Sequence, residues 1–255
     1  MFRIVKYVFL DIVKNKTILA YTILLFIFST SFFSFEDNPA KAVLSILNIT
    51  LIVVPLISIV FCTIHFYNAY EFIELMLAQP VKRKSIFLSE VIACACSLSF
   101  AYLVGVGLPV MIFDMTNAGL SLLIAGLLLT SVFVAIAFLS AVLTRDKAKG
   151  IGIAILLWFY FSILYDGLIL LFMMNFSDYP IENFVLGLVF LNPVDLARVF
   201  VLMQTDTAVL LGYSGAVFKN FLEKDIGVIL SISIMLVWIL LPVFFAQKVF
   251  GRKDI

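Results

Sequence analysis

The stretch "LSLLIAGLLLTSVFVAIAFLSAVL", Leu120–Leu143, runs 24 residues without a charged side chain, and "TRDKAK", Thr144–Lys149, then brings three cations. A helix needs about 20 apolar residues to cross a hydrocarbon layer about 30 Å thick. Leu120–Leu143 meets that length, and its basic border marks where the chain re-enters water. Five further runs have the same character: Ile18–Phe35, Val43–Ile64, Ile86–Phe113, Ile151–Met174 and Ile226–Ala246. The whole chain of 255 residues is 64% hydrophobic, carries 27 Phe and has a mean hydropathy of +1.19. Water would face too much of that apolar surface, so lipid is the expected solvent. These features predict an all-α integral membrane protein, residues 1–255 forming one domain with six transmembrane helices. The end of the first run, "STSFFSF", is too bulky for signal cleavage, so the first helix is expected to be retained.

The net charge of +1 says little, but the placement of the cations sets a topology. Arg3, Lys6, Lys14 and Lys16 precede the first run, and Lys82, Arg83 and Lys84 lie between the second and third. Arg145, Lys147 and Lys149 separate the fourth from the fifth, and Lys248, Arg252 and Lys253 follow the sixth. The opposite side holds Lys41, Arg198, Lys219 and Lys224. Because cytoplasmic loops collect Lys and Arg, both termini are expected in the cytoplasm.

Residues 2–14, "FRIVKYVFLDIVK", wind into an amphipathic helix. Phe2, Val5, Val8, Phe9 and Ile12 share one side, and Arg3, Lys6, Tyr7 and Lys14 the other, with Leu10 as the exception. Such a helix lies in the membrane interface as an elbow leading into the first span. The other unusual connection is 175–225. Its "NFVLGLVFL" is too short to span, and Asn192-Pro193 is a turn and helix start. Asp195 and Arg198 then stand at i,i+3 on one helical face. Short semi-apolar helices of this kind point to re-entrant or outer-surface packing between the fifth and sixth spans.

Catalytic signatures are missing from the sequence. There is no phosphate-binding GxxxxGK[ST], so ATP phosphates are not expected to bind this chain, and one histidine, His65, makes a catalytic triad implausible. The expected chain is a non-catalytic subunit with no cofactor and no metal of its own. Cys62, His65, Cys94 and Cys96 have soft-metal chemistry, yet Cys94 and Cys96 are two residues apart and face opposite sides of a helix. Met111, Met115, Met173, Met174 and Met203 gather near the outer ends of the runs and are read as packing. The "GVG" at Gly105–Gly107 is read as helix-packing material. Charges inside a membrane are costly and mark function or pairing. Asp166 and His65 are therefore candidates for an intramembrane path. For Asp166 the competing reading is an interfacial carboxylate paired with a neighbouring helix; Glu90, near the cytoplasmic interface, is read as structural.

The loop 67–85 holds "YEFIELMLAQPVKRKS" at Tyr70–Ser85. Glu71 and Glu74 share a face, Phe72, Ile73, Leu75, Met76 and Leu77 cover the rest, and Pro80 stops the helix. The basic triplet is accounted for by topology and lipid phosphates. The carboxylate-bearing helix before it is built to dock on a soluble partner.

"ELMLAQPVKRKSIFLSE", Glu74–Glu90, resembles the coupling-helix loop of ABC-2-type permeases, the membrane subunits of ABC exporters. "LNPVDLARVFVLMQTDTAVLLGYSGAVFKNFL", Leu191–Leu222, narrows the resemblance to the permease family of nitrous oxide reductase maturation. The resemblance covers the whole chain and implies an ABC-2, type V exporter-like fold in a bacterial inner membrane. It implies a homodimer working with a cytoplasmic ABC ATPase (NosF-like), which holds the ATP and Mg, and a periplasmic beta-helical protein (NosD-like). It also implies copper-sulfur centre assembly as the task, with copper or sulfur species as candidate cargo and a copper chaperone and the reductase as further partners. Lipids are the surroundings, and no nucleic acid is involved. On this chain, Glu71, Glu74, Gln79, Pro80 and Arg83 become the coupling-helix candidates. Asn192, Pro193, Asp195, Arg198, Tyr213 and Phe218 become candidates for the outer gate or partner contact, where turn, cap and internal ion pair is the competing structural reading. Two other readings stay open: an ABC-2 permease exporting a lipid, peptide or drug, and an ATPase-independent carrier using Asp166.

Overall fold

The computed structural model describes residues 2–36, 38–78, 82–144, 146–176, 182–205 and 224–252, and every regular element among them is a helix. In chain order these are α1 (Phe2–Val13), α2 (Lys16–Phe35), α3 (Pro39–Asn68), α4 (Tyr70–Leu77), α5 (Arg83–Tyr102), α6 (Leu108–Phe113) and α7 (Asn117–Leu143). They continue with α8 (Lys147–Phe159), α9 (Tyr165–Asn175), α10 (Glu182–Phe190), α11 (Pro193–Leu202) and α12 (Lys224–Arg252). Six helical stretches are long and apolar enough to cross a membrane: Lys16–Phe35, Pro39–Asn68, Arg83–Phe113, Asn117–Leu143, Lys147–Asn175 and Gly227–Arg252. Each contains nearly all of one of the six apolar runs. The chain is thus an all-helical, multi-pass membrane protein.

The helices start where short polar side chains can cap free amides. Asn15 accepts from the Thr17 N–H at 2.9 Å, Asn38 from Ala40 at 2.9 Å and Asp146 from Lys149 at 3.0 Å. Asn192 accepts from Val194 at 3.0 Å, with Pro193 at the first helical position, where its missing N–H costs nothing. Two spans are not single α-helices. Leu103–Gly107 and Tyr160–Leu164 are π-helical turns that divide the third and fifth spans. The apolar runs gave no hint of the second, which contains neither glycine nor proline.

Helix α7 is the centre of the bundle. It packs against α3, α5, α8, α11 and α12, and 72% of its apolar window is buried. The fifth span lies at the other extreme, with 11% buried, and Leu156, Leu168 and Leu171 on its outer side are exposed. Hydroxyls inside the bundle bond back to the preceding turn: Thr130 donates to the Gly126 carbonyl at 2.7 Å and Ser131 to Leu127 at 2.9 Å. That removes their cost in an apolar interior. Helix α1 lies along α5, burying Val8 and Ile12 and leaving Tyr7 and Leu10 exposed. The Ser97 hydroxyl donates to the Phe9 carbonyl at 3.4 Å.

Close helix approach explains two glycines. At Gly105, in the first π-helical turn, a Cβ would meet the Leu25 Cβ at 2.8 Å, so α2 can come in only because none is there. At Gly126 a Cβ would strike the ring of Tyr102, which is fully buried and donates its hydroxyl to the Leu122 carbonyl at 3.0 Å. Gly126→Ala should lower stability by about 1–3 kcal/mol, the usual cost of overpacking. In a Tyr102→Ala background the same change should cost less, because the clashing ring is gone. Thermal unfolding of the four proteins in detergent measures the coupling; additive losses would contradict the packing account.

Candidate functional site

The ion pairs of the described residues lie toward the two ends of the bundle. At the end bearing the termini, α3 finishes at Asn68 and the chain turns at Ala69 into α4. Ala69 serves both helices: its N–H donates to the His65 carbonyl at 2.8 Å, and its carbonyl accepts from Ile73 at 2.9 Å. Ile73 is buried, with Phe72, Met76 and Leu77 packed beside it on the core. Glu71, Glu74 and Leu75 face outward, Leu75 being 69% exposed. Two carboxylates and a leucine on a short exposed ridge offer charge and apolar surface together. Arg83 opens α5 and is exposed, whereas Gln79 and Pro80 lie outside the described residues.

One contact ties this ridge to α1, and two others hold the end of α3 that leads into it. Tyr7 of α1 stacks on Phe72 of α4, with ring centroids 6.3 Å apart. The Asn68 carboxamide oxygen accepts from Lys147 Nζ at 2.7 Å, joining α3 to α8. The Tyr67 hydroxyl donates to the carbonyls of Thr144 at 3.2 Å and Ala141 at 3.3 Å, and its ring fills the space a side chain at Gly150 would need.

Behind α4, His65 Nε2 meets Glu90 Oε2 at 3.1 Å. Glu90 is 1% exposed, and its second oxygen, Oε1, has no hydrogen-bond partner. Cys94 stands beside His65, and Cys62 beside Cys94, whereas Cys96 is exposed on another side of α5. The sequence spacing of Cys94 and Cys96 foretold that separation, but no spacing linked His65 to a carboxylate 25 residues away. Among the described residues no group of three or more His, Cys, Asp or Glu is arranged to hold a metal ion. A cleft of about 540 Å³ opens beside His65, walled by Leu56, Ile57, Val60, Phe61 and Ile155 from α3 and α8.

At the far end, α11 sits among α7, α12 and α3 with Val194, Leu196, Ala197, Phe200 and Val201 buried. Arg198 reaches two carboxylates, Asp166 of α9 at 2.8 Å and Asp195 of its own helix at 3.2 Å. The Asn192 amide nitrogen donates to Asp195 at 2.9 Å and to the Phe161 carbonyl of the second π-helical turn at 2.9 Å. Tyr165 donates to the Leu188 carbonyl at 2.7 Å. Asp166 is therefore paired with a neighbouring helix, and it lies at the opposite end of the bundle from His65. Tyr213 and Phe218 lie outside the described residues.

This network holds two carboxylates against one guanidinium. Burial, then the hydrogen bond and charge of Asp166, push the Asp195 carboxyl up to about 8. Burial opposes the charge on Arg198, and Asp166 and Asp195 outweigh it, so the guanidinium is held above its ordinary value. A raised carboxyl value means that the folded network binds its proton more tightly than the unfolded chain does. Its contribution is complete in acid and is lost as pH rises toward about 8. Amide exchange in α11, corrected for intrinsic rates, should be several-fold faster at pH 9 than at pH 6, and Asp195→Asn should abolish that difference. An unchanged pH dependence in Asp195→Asn would remove the assignment.

The sequence relatives agree with this architecture. A sequence model of the family described as "ABC-2 family transporter protein" matches residues 48–255. The chain is also 26% identical over 192 residues to the probable ABC transporter permease protein NosY of Stutzerimonas stutzeri, a stretch covering 70% of this chain and 67% of that protein. A six-span bundle with a short ridge helix between its second and third spans, matched over more than half its length, belongs to the ABC-2 transporter family as a permease.

Proposed function

We propose that this chain is the permease of an ABC transporter that supports copper-sulfur centre assembly in nitrous oxide reductase. Its similarity to the NosY permease carries this reading, together with the "LNPVDLAR" and "LGYSGAVF" runs. In this reading both termini and α4 face the cytoplasm of the bacterial inner membrane. A separate ATPase docks on Glu71, Glu74 and Leu75, and two copies of the permease form the working unit. A beta-helical partner meets the outer end near Asn192–Arg198.

Contacts along the chain give the proposed coupling its route. A displacement of α4 pulls on Asn68 and Tyr67, which grip the start of the fifth span at Lys147 and Gly150. That span carries the second π-helical turn, whose Phe161 carbonyl is held by Asn192, and Asp166, which is held by Arg198. Work done by ATP at one end thus has a continuous path to α11 at the other. The cargo is a copper or sulfur species, or the work itself delivered to the outer partner.

Deleting the gene should reduce nitrous oxide reduction at least tenfold and leave a reductase deficient in its copper-sulfur centre, as read by metal analysis and optical spectra. Glu74→Lys should reproduce the defect with the permease still present in the membrane. A fully loaded, active reductase in the deletion strain would sink the maturation role, while a change in lipid, peptide or drug export would turn the reading to another cargo. Asn68→Ala with Lys147→Ala should keep ATP hydrolysis in the purified complex but cut maturation several-fold, because the tether to the fifth span is lost.

A further inference from the structure

Between α1, α4 and the facing ends of α3 and α5 lies a pocket of about 260 Å³, with Tyr7, Asp11, His65, Asn68, Phe72 and Glu90 in its wall. It is separate from the exposed ridge of α4, and nothing in the proposed docking on Glu71 and Glu74 requires it.

Its wall carries two carboxylates and one imidazole. The carboxylates are Asp11, exposed on α1, and Glu90, buried on α5 and paired with His65, and among the described residues no Lys or Arg lines it. Asp11 has no ion-pair partner among the described residues. Glu90 spends Oε2 on His65, while Oε1 is buried with no partner at all. A buried carboxylate oxygen without a donor is costly, more so than a neutral group left in the same state. Glu90 contributes to the wall of the pocket, and its unpartnered oxygen leaves the carboxylate able to take a further hydrogen-bond donor. The stacked rings of Tyr7 and Phe72 add aromatic surface at the same place, which favours a planar, delocalised cation.

A guanidinium meets all of these demands. It brings several N–H donors in a fixed fork, stacks on aromatic faces and stays charged when partly desolvated. A compact inorganic cation would use the carboxylates but not the aromatic surface. The pocket adjoins α4 at the end of the bundle that bears the termini, so the chain that docks on α4 can reach it.

We infer that this pocket is a socket for an arginine side chain of the cytoplasmic ATPase, received between Asp11 and the free oxygen of Glu90 beside the Tyr7–Phe72 stack. The inference rests on α4 being the docking site of that ATPase. The socket gives the interface a second anchor beside the ridge and fixes the angle at which α1 and α4 are gripped together.

The purified permease and the ATPase that co-purifies with it provide the test, with binding measured in detergent against ionic strength. Glu90→Gln keeps an acceptor for His65 but removes the charge; it should weaken ATPase binding at least tenfold and flatten the salt dependence. Asp11→Asn, exposed on α1, should weaken binding several-fold and stands in should Glu90→Gln fail to fold. A photo-crosslinking residue at Tyr7 should capture an arginine-containing ATPase peptide, and replacing that arginine by alanine should be non-additive with Glu90→Gln. If Glu74→Lys abolishes binding while Glu90→Gln and Asp11→Asn leave it intact, docking stands and the socket is wrong. If none of the three alters binding, docking on α4 falls and the socket with it. Capture of lipid alone at Tyr7 also overturns the assignment, giving the pocket to a headgroup.

Discussion

A backbone amide or carbonyl in hydrocarbon must find its partner within the protein, and the described part of this chain is organised by that demand. Helices meet most of it. Side-chain donors add bonds from one helix to the carbonyls of another. Tyr102 covers the Leu122 carbonyl, Trp158 the Ile52 carbonyl at 3.0 Å, Tyr165 the Leu188 carbonyl and Asn192 the Phe161 carbonyl. Lipid tails are as apolar as leucine, so burial of apolar surface does little to choose among helix arrangements. These donors, with the close approaches at Gly105 and Gly126, supply the choice. A tyrosine is thus worth more to this fold than its apolar area implies, because its hydroxyl names a particular carbonyl on a particular neighbour.

Charge is handled differently at the two ends. Arg198 lies between two carboxylates, Asp166 of α9 and Asp195, and Asp195 also accepts from Asn192, so every member of that cluster has a partner. The cluster closes upon itself and locks α11 to the fifth span. His65 and Glu90 make a pair that is not closed, since one carboxylate oxygen has no donor. A satisfied network serves position, whereas an unsatisfied one adjoining a pocket has capacity left for something outside the chain.

Features with a signal along the chain were legible in the sequence. The six spans follow from apolar length, the cap at Asn192-Pro193 from side-chain chemistry, and the Asp195–Arg198 pair from an i,i+3 spacing. Even the separate placement of Cys94 and Cys96 follows from helical rotation. Contacts across the chain were not legible. Spans such as α7 and α12 are apolar on nearly every side, so no stripe marks the face that a neighbour will cover. That is why His65 with Glu90, Tyr67 with Gly150 and Lys147 with Asn68 went unread, although each residue stood in view. The second π-helical turn was hidden for a related reason: Tyr160–Leu164 holds no glycine or proline, and its contact with Asn192 comes from 31 residues away.

The distribution of packing gives these contacts a direction. Helix α7 is gripped on nearly every side and has little room to move without disturbing its neighbours. The fifth span buries little of its length, yet it is held at its start and again through its middle. Lys147 and Gly150 are held at the start by Asn68 and Tyr67, Trp158 bonds the Ile52 carbonyl, and Phe161, Tyr165 and Asp166 are tied to Asn192, Leu188 and Arg198. These contacts link the end of α3 to α11 through one helix. The π-helical turn sits next to the far set of these contacts, where a change in helical pitch would rotate Asp166 relative to Phe161. In the proposed coupling, motion of α4 registers at α11 as a change in the angle between Arg198 and its two carboxylates, not as a sliding of the whole bundle.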